Sequence, residues 1–286
     1  MAKLAIGDLV GYAWWQDSCP PCYVKDKVME YLQGGGDPNA KVDEFSCLPH
    51  WVARFDTPGQ LDALIAAGGD INCRSPWGYT PLFWMYEKFS LQNVMGEKFE
   101  SRILTLLERG ADINAAEQDG KTALHELVMS LRPRADEVSF LAGHGATVEL
   151  KDKKGRQPIH NAAEMCQPLT AAKLVELGSK INAKDKDGLT PLHIVGDGIG
   201  VWHWPKDRLL STVNGLLDLG ADPNLKNKSG QTVLAHYLWR FGGMVSLFKA
   251  LLEHGADPKL ADKDGLTPHQ HALSHGYSKT ASLLVA

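Results

Sequence analysis

The feature that most constrains the fold of this chain is a short pattern that recurs along almost all of it. Its fullest copy reads Asp-Gly-Leu-Thr-Pro-Leu-His, at 187–193. Related copies occur at 77–83, 119–125, 155–160, 229–235 and 264–270. A second pattern, Gly-Ala-Asp-x-Asn, alternates with the first, at 110–114 and 220–224, with weaker copies at 35–39, 69–72, 145–149, 178–182 and 255–259. Because two unrelated patterns alternate in a fixed order, we expect stacked copies of one small unit.

Each position of these patterns suits a particular local structure. The Thr190 hydroxyl can cap free N–H groups at the start of a helix, and Pro191 suits the first helical turn. Gly188 fits a tight turn, and Gly220 can end a second helix in a left-handed conformation. The sequence therefore predicts a unit of a finger-like turn, a helix, a short turn and an antiparallel second helix. One such pair cannot bury its own apolar face, so neighbouring pairs must stack.

These motifs resemble those of the ankyrin-repeat family over roughly nine-tenths of the chain, from Tyr31 to Ala286. The resemblance implies an all-α ankyrin-repeat solenoid of stacked helix-turn-helix units with short β-hairpin-like fingers. It also implies that His193 bonds the backbone of a neighbouring loop. We predict a degenerate N-terminal capping repeat over 1–41, six ankyrin repeats over 42–261, and a C-terminal capping repeat over 262–286.

Irregular spacing identifies two insertions. From the Thr position to the glycine that closes the second helix, Gln157 to Gly178 spans 21 positions, whereas the repeats opened by Thr80 and Thr190 each span 30. The extra residues are predicted near 87–97 and 196–207. The second insertion is rich in glycine and contains Trp202, His203 and Trp204, so we expect a loop. Its tryptophans either mark an interface or fold back over their own repeat.

Composition excludes several classes of function. With 30 basic and 34 acidic residues the net charge is −4, which argues against generic nucleic-acid binding. We expect no membrane partner, since no stretch is long and apolar enough to cross a bilayer. Residues 1–15 lack the features of a secretory signal, so we expect a cytoplasmic protein. No phosphate-binding loop, G-x-S-x-G or H-E-x-x-H motif is present, and we predict a protein without enzyme activity or cofactor.

Some of the cysteines and histidines could form a metal or redox site. Cys19 and Cys22 form a C-x-x-C, which leaves open plain thiols, a structural disulfide, or a metal or redox site. With no second C-x-x-C to complete four ligands, we predict no metal site. His269, His271 and His275 cluster in the last repeat, and we expect them to be solvated or hydrogen-bonded there.

The resemblance implies a protein partner bound by finger tips and inner helices. Lysines recur at the later fingers and would favour an acidic partner. Aromatic residues cluster in the first half and could be anchors. The predicted protein-binding residues are Trp51, Trp77, Trp84, Tyr86, Lys151, Lys153, Lys154, Lys184, Lys186, Trp202, His203, Trp204, Lys226 and Lys228.

The sequence predicts that the chain is a non-catalytic protein-protein interaction module. We expect a chain that is monomeric when unbound and docks one protein partner on its concave face, masking or recruiting it. An immunity protein or inhibitor of a toxin or enzyme, and a secreted effector or adaptor, fit the same architecture. The alternative of another class is a metal- or redox-dependent protein that uses Cys19 and Cys22.

Overall fold

The computed structural model describes the backbone of residues 21–55, 59–89, 97–130, 135–198 and 204–285, and the side chains of 27–53, 59–86, 100–130, 135–198 and 204–285. Within these ranges the secondary structure is helical, apart from one isolated antiparallel bridge between Lys41 and Cys47. The chain forms two compact units, Met1–Glu126 and Leu127–Ala286, called here the first and second units. None of the helices in the described part has the length and apolar character needed to span a bilayer.

The first unit is built from paired helices joined by turns. Its helices are α1 (Pro21–Gln33), α2 (Leu48–Phe55), α3 (Gln60–Ala66), α4 (Pro81–Phe89) and α5 (Glu97–Glu108), followed by α6 (Ala123–Val128), which crosses into the second unit. Helix α2 packs against α4, and α1 packs against α3. Alternate helices therefore stack on each other, as the repeat predicts.

The second unit continues this pattern in two rows. Its elements are α7 (Ala135–Gly143), α8 (Pro158–Glu164), α9 (Pro168–Glu176), a 3-10 helix (Pro191–Ile194), α10 (Lys206–Asp218), α11 (Val233–Phe241), α12 (Val245–Glu253), α13 (Pro268–Ser274) and α14 (Ser278–Leu283). An inner row runs through α8, the 3-10 helix, α11 and α13, and an outer row through α7, α9, α10, α12 and α14. The core lies between the rows, where Ile159, Leu192, Leu234 and Leu247 are fully buried.

The two sequence motifs bond one repeat to the next. The Nδ1 of His193 accepts the backbone N–H of Thr190 at 3.3 Å, and its Nε2 donates to the carbonyl of Gln231 in the following finger at 3.3 Å, which confirms the bond expected for this histidine. In the second motif, Asn224 donates its side-chain amide to the Gly255 carbonyl at 2.8 Å and accepts the Asp257 N–H at 2.7 Å. The side chains thus satisfy the backbone groups left free at helix ends.

The second insertion shortens an inner helix. The sequence predicted a helix opened by Thr190, but the chain forms only the 3-10 turn, and Gly196 then adopts a positive φ of 74°. The Gly196 N–H donates to the Ala163 carbonyl at 3.2 Å, so the turn is held to α8 instead of continuing along its own axis. Residues 199–203, and residues 90–96 of the first insertion, lie outside the described ranges.

Candidate functional site

An open groove of about 1120 Å³ lies in the second unit, between α11, α13 and the start of α10. We call it the Trp239 groove. Its apolar lining includes Trp204, Leu238, Trp239 and Met244, and its polar lining includes Lys206, Gln231, His236, Arg240, His271 and His275. An apolar groove with a few convergent polar groups is a common form of binding site.

Trp239 is 76% exposed although it is large and apolar. Leu234, Leu238 and Phe241 occupy the buried face of the same helix, so the 3.6-residue period directs Trp239 outward. The adjacent Tyr237 is fully buried and its hydroxyl donates to the Leu192 carbonyl at 2.5 Å, which fixes α11 against the 3-10 helix. Trp239 therefore projects from a rigid element. The predicted set omitted it, although helical periodicity alone could have identified it.

The groove is lined by two basic side chains, Lys206 and Arg240, and by the carboxylate of Asp197. Lys206 is exposed, and Arg240 forms an ion pair with Asp197 and donates to the Gly196 carbonyl at 3.1 Å. Burial lowers the pKa of His236, so this imidazole is neutral at pH 7. His271 bonds Asp262 at 2.7 Å, as expected for a hydrogen-bonded histidine. Lys206 adds positive charge beyond the ion pair of Arg240 and Asp197, which favours an acidic ligand.

Trp204 forms part of the groove wall. Its ring lies under the guanidinium of Arg208, 4.4 Å from the ring centroid, and Arg208 in turn donates to the Cys166 carbonyl at 2.9 Å. This arrangement favours the interpretation in which Trp204 covers its own repeat. The Nε1 of Trp204 is buried and has no hydrogen-bond partner among the described residues. Trp202 and His203, predicted with it, lie outside the described ranges.

The lysines predicted at the fingers of the second unit are exposed: Lys151, Lys153, Lys154, Lys184, Lys186, Lys226 and Lys228. Two of them also join fingers, because Lys184 donates to the Lys226 carbonyl at 2.8 Å and Lys226 to the Ala261 carbonyl at 2.7 Å. The carboxylate of Asp185 is buried and accepts two backbone N–H groups within its own turn. The lysine side chains are therefore exposed, whereas the carboxylate of Asp185 is buried.

Two predicted aromatic anchors of the first unit lie in its core. Trp84 is 5% exposed and Tyr86 is 2% exposed, which corrects the expectation that they face a partner. Trp84 packs against Trp51, with ring centroids 6.3 Å apart, and meets the ring of His50 at right angles. These large side chains fill space within the stacked helices. Trp51 is half-buried and donates from Nε1 to the Ser46 hydroxyl at 2.8 Å.

Trp77 remains a candidate anchor because it is 43% exposed. One face of its ring stacks on Phe45, with centroids 4.7 Å apart and planes within 7° of parallel. The stacking holds the indole in one orientation and leaves part of it accessible. Its finger tip is also bound to the next finger, where Gln118 donates its backbone N–H to the Trp77 carbonyl at 2.9 Å.

Three metal-ligating side chains meet in the first unit. The Sγ atoms of Cys47 and Cys73 and a ring nitrogen of His50 all lie within 4.8 Å of one another. Burial raises the pKa of both thiols, and the thiols hydrogen-bond to each other. This group could not be identified from the sequence because its members come from adjacent repeats. Cys19 lies outside the described ranges, as does the side chain of Cys22.

Comparison with known proteins identifies the repeat. The family model for ankyrin repeats (3 copies) matches residues 94–185 and 206–286, together more than half of the chain. Human NF-kappa-B inhibitor zeta is 29% identical over 202 residues, covering 57% of this chain and 26% of that protein. Human ankyrin repeat and SOCS box protein 6 is 34% identical over 146 residues, covering 49% and 33%. The chain thus spans about a quarter to a third of the length of these relatives.

A solved structure supports the same fold. The ankyrin repeat domain of Bcl-3, described as a member of the IkappaB protein family, aligns with a TM-score of 0.65 at 22% identity, covering 82% of this chain and 97% of that one. The chain belongs to the ankyrin-repeat family, whose repeats form modules for binding other proteins.

Proposed function

We propose that this chain is a non-catalytic binding protein that holds an acidic segment of one protein partner in the Trp239 groove. The observation that carries the proposal is the 76% exposure of Trp239 beside Lys206 and Arg240. Tryptophan and arginine are enriched among residues that dominate binding energy. A partner segment with an apolar side chain would cover the indole, and an acidic residue beside it would meet Lys206.

Rigidity of the groove supports this assignment. The Tyr237 hydroxyl and the Arg240 guanidinium both bond backbone carbonyls of the preceding repeat. Little conformational freedom would therefore be lost on binding, and this loss is a main cost of association.

Lysines at the fingers of the same unit extend the basic character beyond the groove. Lys186 and Lys228 are exposed at successive finger tips, and Gln231, which lines the groove, belongs to the finger that carries Lys228. These charges would attract an acidic partner and raise its association rate.

We further propose that binding masks the partner, in a chain that is monomeric when unbound and resides in the cytoplasm. The most similar curated relatives include proteins named as inhibitors, which favours masking over recruitment. Cys47, Cys73 and Cys166 are free thiols, which suits a reducing compartment.

The test is affinity capture from the native cell followed by binding measurements with the purified partner. We expect Trp239→Ala to weaken binding by about 2 kcal/mol or more, roughly thirtyfold, as for an interface hot spot. Leu169→Ala is the matched control, because Leu169 is 68% exposed on α9 and does not line the groove. Equal affinities of the wild type and Trp239→Ala would refute the groove as the binding site.

A further inference from the structure

We propose that Cys47, His50 and Cys73 form a binding site for a thiophilic divalent cation, with Zn²⁺ as the expected ion. The site lies in the first unit, where the start of α2 meets the finger that precedes α4, and it is separate from the Trp239 groove and its proposed function.

The spacing of the ligand atoms matches a tetrahedral ion. The Sγ of Cys73 lies 3.6 Å from the Nδ1 of His50. A zinc ion with Zn–S of about 2.3 Å and Zn–N of about 2.0–2.1 Å holds tetrahedral S and N ligands about 3.6 Å apart. The Sγ of Cys47 completes a triangle in which all three ligand atoms lie within 4.8 Å of one another. Only small side-chain adjustments are needed to place one ion between them.

His50 is already held in the form that a metal requires. Its Nε2 lies 2.8 Å from the Tyr79 carbonyl, which can only accept, so Nε2 carries the proton and Nδ1 presents its lone pair toward the thiols. A backbone carbonyl on the far ring nitrogen is a usual second partner of a metal-bound histidine. Trp84 packs edge-on to the ring and limits its rotation. The Nδ1 accepts a long bond of 3.3 Å from the Cys47 N–H and contacts the Cys73 Sγ, and an ion would replace both contacts.

The two cysteines replace different residues at one repeat junction. The position of Cys47 is occupied elsewhere by glutamine, at Gln157, or by threonine, at Thr80, Thr122, Thr190, Thr232 and Thr267. The position of Cys73 is occupied elsewhere by alanine or leucine, at Ala40, Ala115, Leu150, Ala183, Leu225 and Leu260. Sulfur is not needed at the position of Cys47, since Thr122 at the equivalent position bonds His125 through its hydroxyl at 2.9 Å. Both thiols nevertheless occur where they meet the same histidine.

Binding would release two thiol protons and leave the fourth position to water. Cys47 and Cys73 are half-buried, so solvent can reach the ion. The ion would join α2 to the following finger and stabilise the folded state, because the ligands are brought together only on folding.

The first test titrates the full, reduced chain with Co²⁺ and then Zn²⁺. We expect one equivalent of Co²⁺ to give thiolate-to-cobalt charge-transfer absorption, one equivalent of Zn²⁺ to remove it, and Zn²⁺ to raise the thermal midpoint. X-ray absorption of the zinc-loaded wild type should show two sulfur ligands and one imidazole. Absence of stoichiometric binding would overturn the proposal.

Substitutions by residues that occupy the equivalent positions in other repeats distinguish this site from the other thiols. Cys47→Thr and Cys73→Ala restore residues found at equivalent positions, so both should fold while losing the cobalt signal. Cys19→Ser/Cys22→Ser should keep the signal, as should Cys166→Ala. A signal that survives in the Cys47→Thr/Cys73→Ala double variant would show that the cation binds elsewhere and would overturn the assignment.

Discussion

The histidines that end the first motif are held in their neutral form. Burial lowers the pKa of His160 to about 4 and that of His193 to about 3. His193 also faces His236 and Lys184, which lower its pKa further, while the Gln231 carbonyl partly opposes the shift. In the unfolded chain these imidazoles return to an ordinary pKa of about 6.5. As the pH falls, these imidazoles therefore take up protons in the unfolded state at a higher pH than in the folded state.

We expect the free energy of unfolding to be fully retained above about pH 6.5 and to fall as the pH decreases toward these folded pKa values. The unfolded state binds more protons across this range, so each such histidine costs about 2 kcal/mol by pH 5. Urea denaturation of the wild type at pH 7, 6 and 5 measures how the free energy of unfolding depends on pH.

The control for this effect is His193→Gln. Gln270 occupies the equivalent position in the last repeat, where its Oε1 accepts the Thr267 N–H at 2.8 Å. Glutamine can therefore keep the cap without titrating, and the loss of stability by pH 5 should shrink by about 2 kcal/mol. The same pH slope in both proteins would contradict the linkage.

At the scale of helices, buried polar side chains join neighbouring repeats. Gln167 is fully buried at the start of α9 and donates to the carbonyl of Val128, the last residue of α6, at 3.0 Å and to that of Ser130 at 2.5 Å. Thr170 donates its hydroxyl to the Oε1 of Gln167 at 3.0 Å. This one amide satisfies backbone groups that a short α6 leaves free.

We expect Gln167→Ala to lower the free energy of unfolding by about 2–3 kcal/mol, because two buried carbonyls lose a donor. Thr170→Ala removes the hydroxyl that bonds Gln167 together with a buried methyl group and should cost about 1–2 kcal/mol. Chemical denaturation of both variants gives the comparison. A loss for Gln167→Ala no larger than that for Thr170→Ala would show that the carbonyls find other donors.

The regular elements could be predicted from the sequence because their signals are local. Gly220 ends a helix at φ 89°, and the bond from His193 to the next finger follows from the motif and the family it resembles. The 3-10 turn after Thr190 could not be predicted, because a tertiary bond to the Ala163 carbonyl ends it. The burial of Trp84 likewise depends on the ring of Trp51, which comes from another repeat.

Candidate sites were harder to predict because their residues meet only through contacts between repeats. Trp239 could have been found from the apolar period of α11, whereas Cys47 and Cys73 are separated by a helix pair and meet only in the stacked repeats. The lysine fingers could be predicted because each is a short segment of sequence. The dual role of Lys184, which also bonds the next finger, required the structure.

At the scale of the whole chain, the net charge of −4 hides an uneven distribution. Exposed lysines recur on successive fingers of the second unit, and the carboxylate of Asp185 is turned into its own finger. A local basic surface on a mildly acidic protein attracts partners by charge over about one Debye length, roughly 8 Å at physiological salt. The net charge is therefore a poor guide to the partner that this surface would attract.

We expect Lys154→Glu/Lys186→Glu/Lys228→Glu to slow association with the captured acidic partner about tenfold at low salt, with a smaller effect on dissociation, since exposed charges act mainly on the encounter. The difference from wild type should shrink as salt is raised to about 0.5 M, because screening removes the steering from both proteins. Lys249→Glu on α12 is the control, since it places an acidic charge on an exposed site of the outer row. Stopped-flow measurements across the salt series compare the association rates of the wild type and the variants. Lys249→Glu changes the net charge by −2 and the triple variant by −6. If Lys249→Glu slowed association by as large a factor per Lys→Glu substitution as the triple variant does, net charge and not the position of the finger lysines would be the cause.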